Sequence, residues 1–453
     1  MKIRSYKISV ALAAAALISV CGVKYAAASS GPHNVLYFET NNATPGQNAV
    51  IEYGRKANGS IFPLGIFGTR GTGYKNVNQR LGPDDTEQEV IVSPDGTLLF
   101  AINQGSNDVS VFHILPSGTL SLVPGSPFAS YGIQPASLTF VDDLLFVVNR
   151  GDGILPTAAA PTGVTGTPGA TNYTAFQVMP NGSLSHVAGS TVVLADGSSP
   201  SQMVASISGS YLFGNDFFVP DASVTPPAPI FPAARSELDS LSFDAGGLLT
   251  ETSENPLPSP TYDGAPYMLG LLAHPSEQIV YSGLVALGRI GVWTYDDSGA
   301  MTFSGQESDP NSVGAAGGVC WITTDPKTQY LYESSVVTDQ VGVLSIASDP
   351  TVPVRVENFD LGGPKALLPS GLPEPYHYTT APFNLKVDPS GQYLYVLNNQ
   401  TCTNFSVNPD CNKGTAIHIL GIAGDGTLTE MPYSPVILAP QLVPDHATGL
   451  VVF

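Results

Sequence analysis

The chain has 453 residues, with 17 Lys and Arg against 37 Asp and Glu, a formal net charge of −20 at pH 7. So acidic a surface repels nucleic-acid phosphates and anionic lipid headgroups, which excludes binders of either. Its 43% hydrophobic and 12% charged residues, with 47 Gly and 39 Pro, exclude disorder and suit many short strands joined by turns.

Lys2, Arg4 and Lys7 precede an apolar run over residues 8–23, then Ala26-Ala27-Ala28. The pattern predicts a secretory signal peptide cut after Ala28, its apolar run too short for a comfortable membrane span. A lipoprotein reading would use Ile18-Ser19-Val20-Cys21, but Val20 stands where a small residue is expected, so simple export to a periplasmic or secreted location is preferred. Cleavage removes four basic residues and no acidic one, leaving a more acidic mature chain at residues 29–453.

From there one pattern recurs: a strand A, a tight turn, a strand B ending in an aromatic and a polar residue, a gap, then strands C and D around a Gly turn. HNVLYFETN (33–41) reads as a B strand and NAVIEYGRKANGSIF (48–62) as its C and D. The clearest full copy is EVIVSPDGTLLFAIN (89–103) with DVSVFHILPSGTLSLVPGSPF (108–128). Further A strands open at QPASLTFVDD (134), PSQMVASISGS (200), PYMLGLLAHPSEQ (266), GGVCWITTDPKTQ (317) and APFNLKVDPSGQ (381). Further C strands lie in NYTAFQVMPNGSL, SELDSLSFDAGGLL, GRIGVWTYDDSGAM, DQVGVLSIASDPT and GTAIHILGIAGDGTL. Period-two alternation with Asn-Gly, Ser-Gly or Asp-Gly turns is the hairpin signal, and helical periodicity is hard to find after residue 30.

The first copy lacks its A strand, and TGLVVF (448–453) supplies one. Seven four-stranded copies closed by pairing the two termini predict an all-β fold, a seven-bladed β-propeller of antiparallel blades forming one domain.

In such blades the A–B turns lie at one end and the B–C and D–A loops at the other. The A–B turns are a few residues each, whereas B–C loops at 150–171, 216–235 and 400–413 and the D–A connection at 361–380 are long. All the large insertions therefore share one face, where the site is expected, at the channel mouth.

Three residues past the B-strand aromatic come Asn41, Asn103, Asn149, Asp216, Leu284, Ser335 and Asn398. Asn favours such turns through its own side chain, and a ring of amides can also bind a polar ligand, so Asn103, Asn149 and Asn398 are candidate ligand contacts. Aligning the C strands places Asp108, Asn172, Glu237, Arg289 and Gln340 at equivalent rim positions, with Glu237 and Arg289 on adjacent blades. A carboxylate base beside a guanidinium anchor would suit lactone chemistry on an acidic substrate; a plain rim salt bridge is the simpler account. Arg150 and Arg235, which begin and end long loops, are further candidate substrate contacts, as is Asp108. His377 and His446 lie in D–A connections on the same face and are candidate general bases beside Glu237.

Cys402 and Cys411 flank TNFSVNPD in one long loop and are expected to form a disulfide, stabilising by roughly 2–3 kcal/mol through loop closure. Cys320 sits mid-strand as a small buried hydrophobe. Metalloprotease, EF-hand, P-loop and nucleophile-elbow motifs are absent, so no metal and no cofactor is expected.

The repeats VSPDGTLLFAIN…DVSVFHILPSGTLSLVPGSPF and VDPSGQYLYVLNN…GTAIHILGIAGDGTLTEMPYSP resemble the lactonase-type seven-bladed propellers, 6-phosphogluconolactonase-like proteins and carboxymuconate cyclases. The resemblance implies the fold and a lactone-directed site at the channel mouth. Members of that family carry a Pro-Arg-His element opening an inner strand. Here those strands open with Gln134-Pro135, Pro200-Ser201-Gln202, Ala265-Pro266-Tyr267 and Ala381-Pro382-Phe383, without an Arg-His pair. Two readings follow: a monomeric enzyme opening or closing a small acid's lactone ring, or a non-catalytic propeller binding a glycan, peptide or protein through its long loops.

Overall fold

A computed structural model describes residues 34–74, 88–151, 171–194, 198–216, 220–221, 228–229, 236–258, 268–363, 378, 380–400, 415–444 and 446–453. The expected signal peptide at 1–28 and the expected Cys402–Cys411 disulfide lie outside these residues.

The architecture is a seven-bladed β-propeller of four-stranded antiparallel sheets. Blade one takes strand A from Thr448–Val452, which pairs with strand B at Val35–Glu39, followed by Ala49–Arg55 and Ile61–Gly68. The chain's last strand thus closes the ring by supplying blade one's inner strand, so that strand B of blade one is paired on both sides. Blade four runs Pro200–Ala205, Tyr211–Asp216, Glu237–Phe243 and Leu249–Pro256, and blade seven begins Thr380–Val387, Tyr393–Gln400 and Ala416–Ile422. Each A strand packs against the A strands of both neighbouring blades, so the seven inner strands ring an axial channel. Side chains tie that ring: Asn384 of blade seven accepts the Gly449 N–H (3.0 Å) and Gln202 of blade four donates to the Leu271 carbonyl (2.8 Å).

No blade can bury both its faces alone. The apolar residues gather into seven clusters, one at each junction between neighbouring blades; Val35, Tyr37 and Val50, for instance, meet Val90, Leu99 and Phe112. Tyrosines at one B-strand position also bond across the junctions. Tyr37 donates to the Gly118 carbonyl (2.6 Å), Tyr395 to Gly59 (2.8 Å) and Tyr332 to Gly426 (3.2 Å), each carbonyl lying in the C–D turn of the next blade. Counted from Tyr37 rather than Phe38, the blade-one member of the rim series is Thr40, paired with Ala49, and not Asn41.

Blades two, three and seven depart from the simple pattern. Their D strands stop after three residues and resume as Phe128–Ala129, Val192–Val193 and Val436–Ile437, which pair again with strand C. The breaks fall at PGSP, AGS and PYSP, where Pro and Gly interrupt a ladder. A serine mends each one: Ser126, Ser190 and Ser434 hydroxyls accept the N–H groups of Val111, Ala175 and Ile419 (2.9, 3.1 and 2.9 Å).

Candidate functional site

At the loop-side end of blades two to six the last residue of strand B faces the first of strand C: Asn103 with Asp108, Asn149 with Asn172, Asp216 with Glu237, Leu284 with Arg289 and Ser335 with Gln340. In blade seven Asn398 faces Ala416, the first residue of strand C, and strand B runs on to Gln400. What each pair does depends on burial and on its neighbours.

Blade four concentrates carboxyl groups. Glu237 and Asp239 project from the same side of strand C, and Glu254 of strand D pairs with Asp239. Glu237 is half-buried, and desolvation first, then the charges of Glu254, Asp216 and Glu251, pushes its carboxyl up to about 7. Asp216 is buried and is pushed up to about 6, again chiefly by desolvation, although the Ser199 N–H (2.6 Å) and the Ser198 side chain favour its ionised form. Asp239, fully buried, is held well above the carboxylate range by desolvation and by Asp216, and it accepts the Tyr173 hydroxyl of blade three (2.7 Å). Arg150, buried at the end of blade three's strand B, donates through Nε to Ser199 Oγ (2.8 Å). A run from Arg150 through Ser199 and Asp216 to Glu237 therefore crosses the junction of blades three and four. Only Glu237, at its end, keeps partial solvent access. A carboxyl group that titrates near neutrality can both take and return a proton at physiological pH.

At the rim of blade two, Asn103 is saturated. It accepts from Asn48 Nδ2 (2.9 Å) and Thr69 Oγ1 (2.7 Å) and donates to Asp108 Oδ1 (2.6 Å) and Ser110 Oγ (2.9 Å). Asn149 donates to the Ser130 carbonyl and to Asn172 Oδ1 (both 3.0 Å). Asn398 donates to Asp339 Oδ1 (3.0 Å) and meets His418 Nε2 (3.2 Å), while His418 Nδ1 lies 2.6 Å from Glu430 Oε1. All three amides are buried. Their side-chain NH2 groups tie neighbouring strands and loops together, while the buried Oδ1 atoms of Asn149 and Asn398 have no hydrogen-bond partner among the described residues. Asp108 is likewise engaged by Asn103.

Arg289 does not reach toward blade four. It pairs with Glu307 (2.9 Å) and Asp309 (3.7 Å), and Glu307 in turn binds the fully buried Arg355 (2.5 Å), which also binds Glu333 (3.0 Å). Gly342 leaves the room for this: a Cβ there would lie 2.0 Å from Glu333 Oε1. In place of the Glu237–Arg289 couple expected from the sequence, Arg289 joins a blade-five-to-six ion network, because the buried Glu307 and the partly buried Asp309 stand beside its guanidinium.

No protein-family model matches the chain, and no curated protein does. Solved structures do. A Bacteroides uniformis protein provisionally described as a 6-phosphogluconolactonase aligns over 92% of this chain and 98% of its own, at 15% identity and TM-score 0.61. A Bacteroides fragilis protein of the same provisional description covers 94% and 99%, at 15% identity and TM-score 0.58. The Pseudomonas aeruginosa periplasmic gluconolactonase PpgL covers 74% and 80%, at 16% identity and TM-score 0.51. The fold is that of the lactonase-type seven-bladed propellers.

On that propeller the sequence-selected residues separate. Glu237 and Arg150 come together at the junction of blades three and four. His446 packs edge-on against the Phe383 ring, 5.2 Å between centroids, beside blade seven's inner strand. His377 and Arg235 lie outside the described residues. Sequence reasoning did not single out Asp239, Glu251, Glu254, Tyr173, His418 or Glu430. One signal was present: the third position of strand C is Ser110, Thr174, Gly291 and Gly342 in blades two, three, five and six, but Asp239 in blade four and His418 in blade seven.

Proposed function

We propose that the chain is an exported lactonase that opens the lactone ring of a small sugar-derived or acidic substrate at the loop face of blade four, with Glu237 as general base. The observation that carries this reading is the half-buried Glu237 carboxyl, pushed up to about 7 beside the buried Asp216. Ionised, Glu237 takes a proton from the water that attacks the lactone carbonyl. Protonated, it returns that proton to the ring oxygen as the acyl C–O bond breaks. Asp216, Ser199 and Arg150 hold the base from behind. The periplasmic gluconolactonase among the structural neighbours supports both lactone chemistry and an extracytoplasmic location, as does the predicted signal peptide. Among the described residues no helix is long and apolar enough to cross a membrane.

A second reading, a non-catalytic propeller binding a glycan, peptide or protein through its long loops, is favoured by one observation: Arg289 is taken up by Glu307 and Asp309. The test is turnover of a lactone panel, including gluconolactones and carboxymuconolactone, by the purified mature protein with buffer hydrolysis subtracted. The enzyme reading expects turnover that Glu237→Gln lowers by about 100- to 10,000-fold. No turnover across the panel supports the second reading.

A further inference from the structure

The carboxyl groups of blade four have little positive charge to balance them. From residue 134 to residue 258, the stretch that builds blades three and four, Arg150 and Arg235 are the only basic residues. Arg150 is buried and gives its Nε to Ser199, whose N–H in turn is given to Asp216. Arg289 of blade five, the next guanidinium along the chain, is taken up by Glu307 (2.9 Å) and Asp309 (3.7 Å). Against these stand the buried Asp216 and Asp239, the half-buried Glu237 and Glu251, and the exposed Glu254. Glu254 and Glu251 lie on strand D, opposite Asp239 and Leu241, and the charges of both bear on Glu237. None of these carboxyl groups pairs with a basic side chain among the described residues.

We infer that the site takes uncharged lactones and excludes lactones that carry a carboxylate or a phosphate, with Glu251 and Glu254 as the residues that set this choice. The inference rests on the lactonase reading above and narrows its substrate to one charge class. A site lined by one sign of charge changes the encounter rate of a charged ligand by about 10- to 1,000-fold, here downward for an anion. An anion seated beside Glu237 would also add one more like charge to a carboxyl already raised by Glu254 and Asp216. It would hold that carboxyl protonated, and so remove the ionised form that takes the proton from water. An uncharged lactone meets neither obstacle. Hydrolysis turns it into a hydroxy acid that ionises at neutral pH, so the field that is indifferent to the substrate expels the product.

The test compares kcat/KM of the full mature chain for glucono-delta-lactone and for its 6-phosphate at pH 7, with buffer hydrolysis subtracted. The uncharged lactone is expected to be preferred by about tenfold or more at about 20 mM salt. Raising the salt to about 500 mM shortens the screening length from roughly 20 to roughly 4 Å, and is expected to narrow that preference several-fold by speeding the phosphate ester alone. Glu254→Gln, a change at an exposed position, is expected to narrow it at low salt. Turnover of the phosphate ester as fast as that of the uncharged lactone, or faster, would overturn the inference and leave the lactonase reading standing. So would a preference that neither salt nor Glu254→Gln alters. Turnover of neither lactone would overturn both.

Discussion

Asp216 and Glu237 face each other across the last rung between strands B and C of blade four, one buried and the other half-buried, and each carboxyl is raised well above its ordinary value. Two such groups on one rung cannot both ionise cheaply, so the charge state of one sets the proton affinity of the other. In Asp216→Asn the like charge is gone while the amide oxygen can still accept the Ser199 N–H. The Glu237 carboxyl is then expected to titrate at lower pH than in the parent, as read by carbon-13 NMR of the labelled side chain. An unchanged or higher midpoint would mean the two groups do not sense each other.

The same shift sets a pH dependence of stability. A carboxyl whose folded pKa is raised binds its proton more tightly in the folded state, so its contribution is full below the unfolded value and is lost as pH rises through the folded one. For Asp216 that window runs from the ordinary 3.8 to about 6, and the change is about 3 kcal/mol. Chemical denaturation across this range is expected to show stability falling as pH rises. Asp216→Asn should flatten that slope without abolishing it, because Asp239 is raised as well.

Arg355 is fully buried and neutralises two buried carboxylates, Glu307 and Glu333. Removing it strands the buried Glu333 and leaves Glu307 with Arg289 alone, so Arg355→Met is expected to destabilise by about 3–5 kcal/mol. Arg289→Met leaves Glu307 still paired with Arg355 and should cost at most about 1 kcal/mol. Denaturation midpoints of the two variants, compared at one pH, check the ordering.

The serines that mend the broken D strands make a further test. In Ser126→Ala or Ser434→Ala a strand-C N–H loses its acceptor, and an unsatisfied buried donor costs about 1–3 kcal/mol. Faster hydrogen exchange at the Val111 or Ile419 amide, with the far side of the ring unaffected, is the expected signature.

Much of the fold was legible in the sequence because a propeller repeats itself. Period-two runs, Gly turns and the terminal TGLVVF specify blade count and closure through local pattern alone. The split D strands were less legible, since PGSP and PYSP read as turns and the serine that bridges them announces nothing by itself. The site was legible only by position. Alignment placed Glu237 and Arg289 at matching rim positions, but which partners they choose depends on residues far away in sequence. Glu307, just past strand D of the same blade, takes Arg289 and is itself bound by Arg355 of blade six, and Tyr173 with Asp239 builds the acidic junction from blades three and four. Asn103, Asn149 and Asn398 are buried, and a rim position near the end of a B strand does not reveal burial from local pattern.

The central claim is that Glu237 serves as a base poised near neutrality, and the dependence of kcat/KM on pH for a hydrolysed lactone tests it most directly. The account predicts a rate that rises with pH to a plateau, with an inflection near the value of about 7 to which Glu237 is pushed, and loss of that inflection with most of the activity in Glu237→Gln. A profile with no inflection in the neutral range, or one that Glu237→Gln leaves intact, would contradict it.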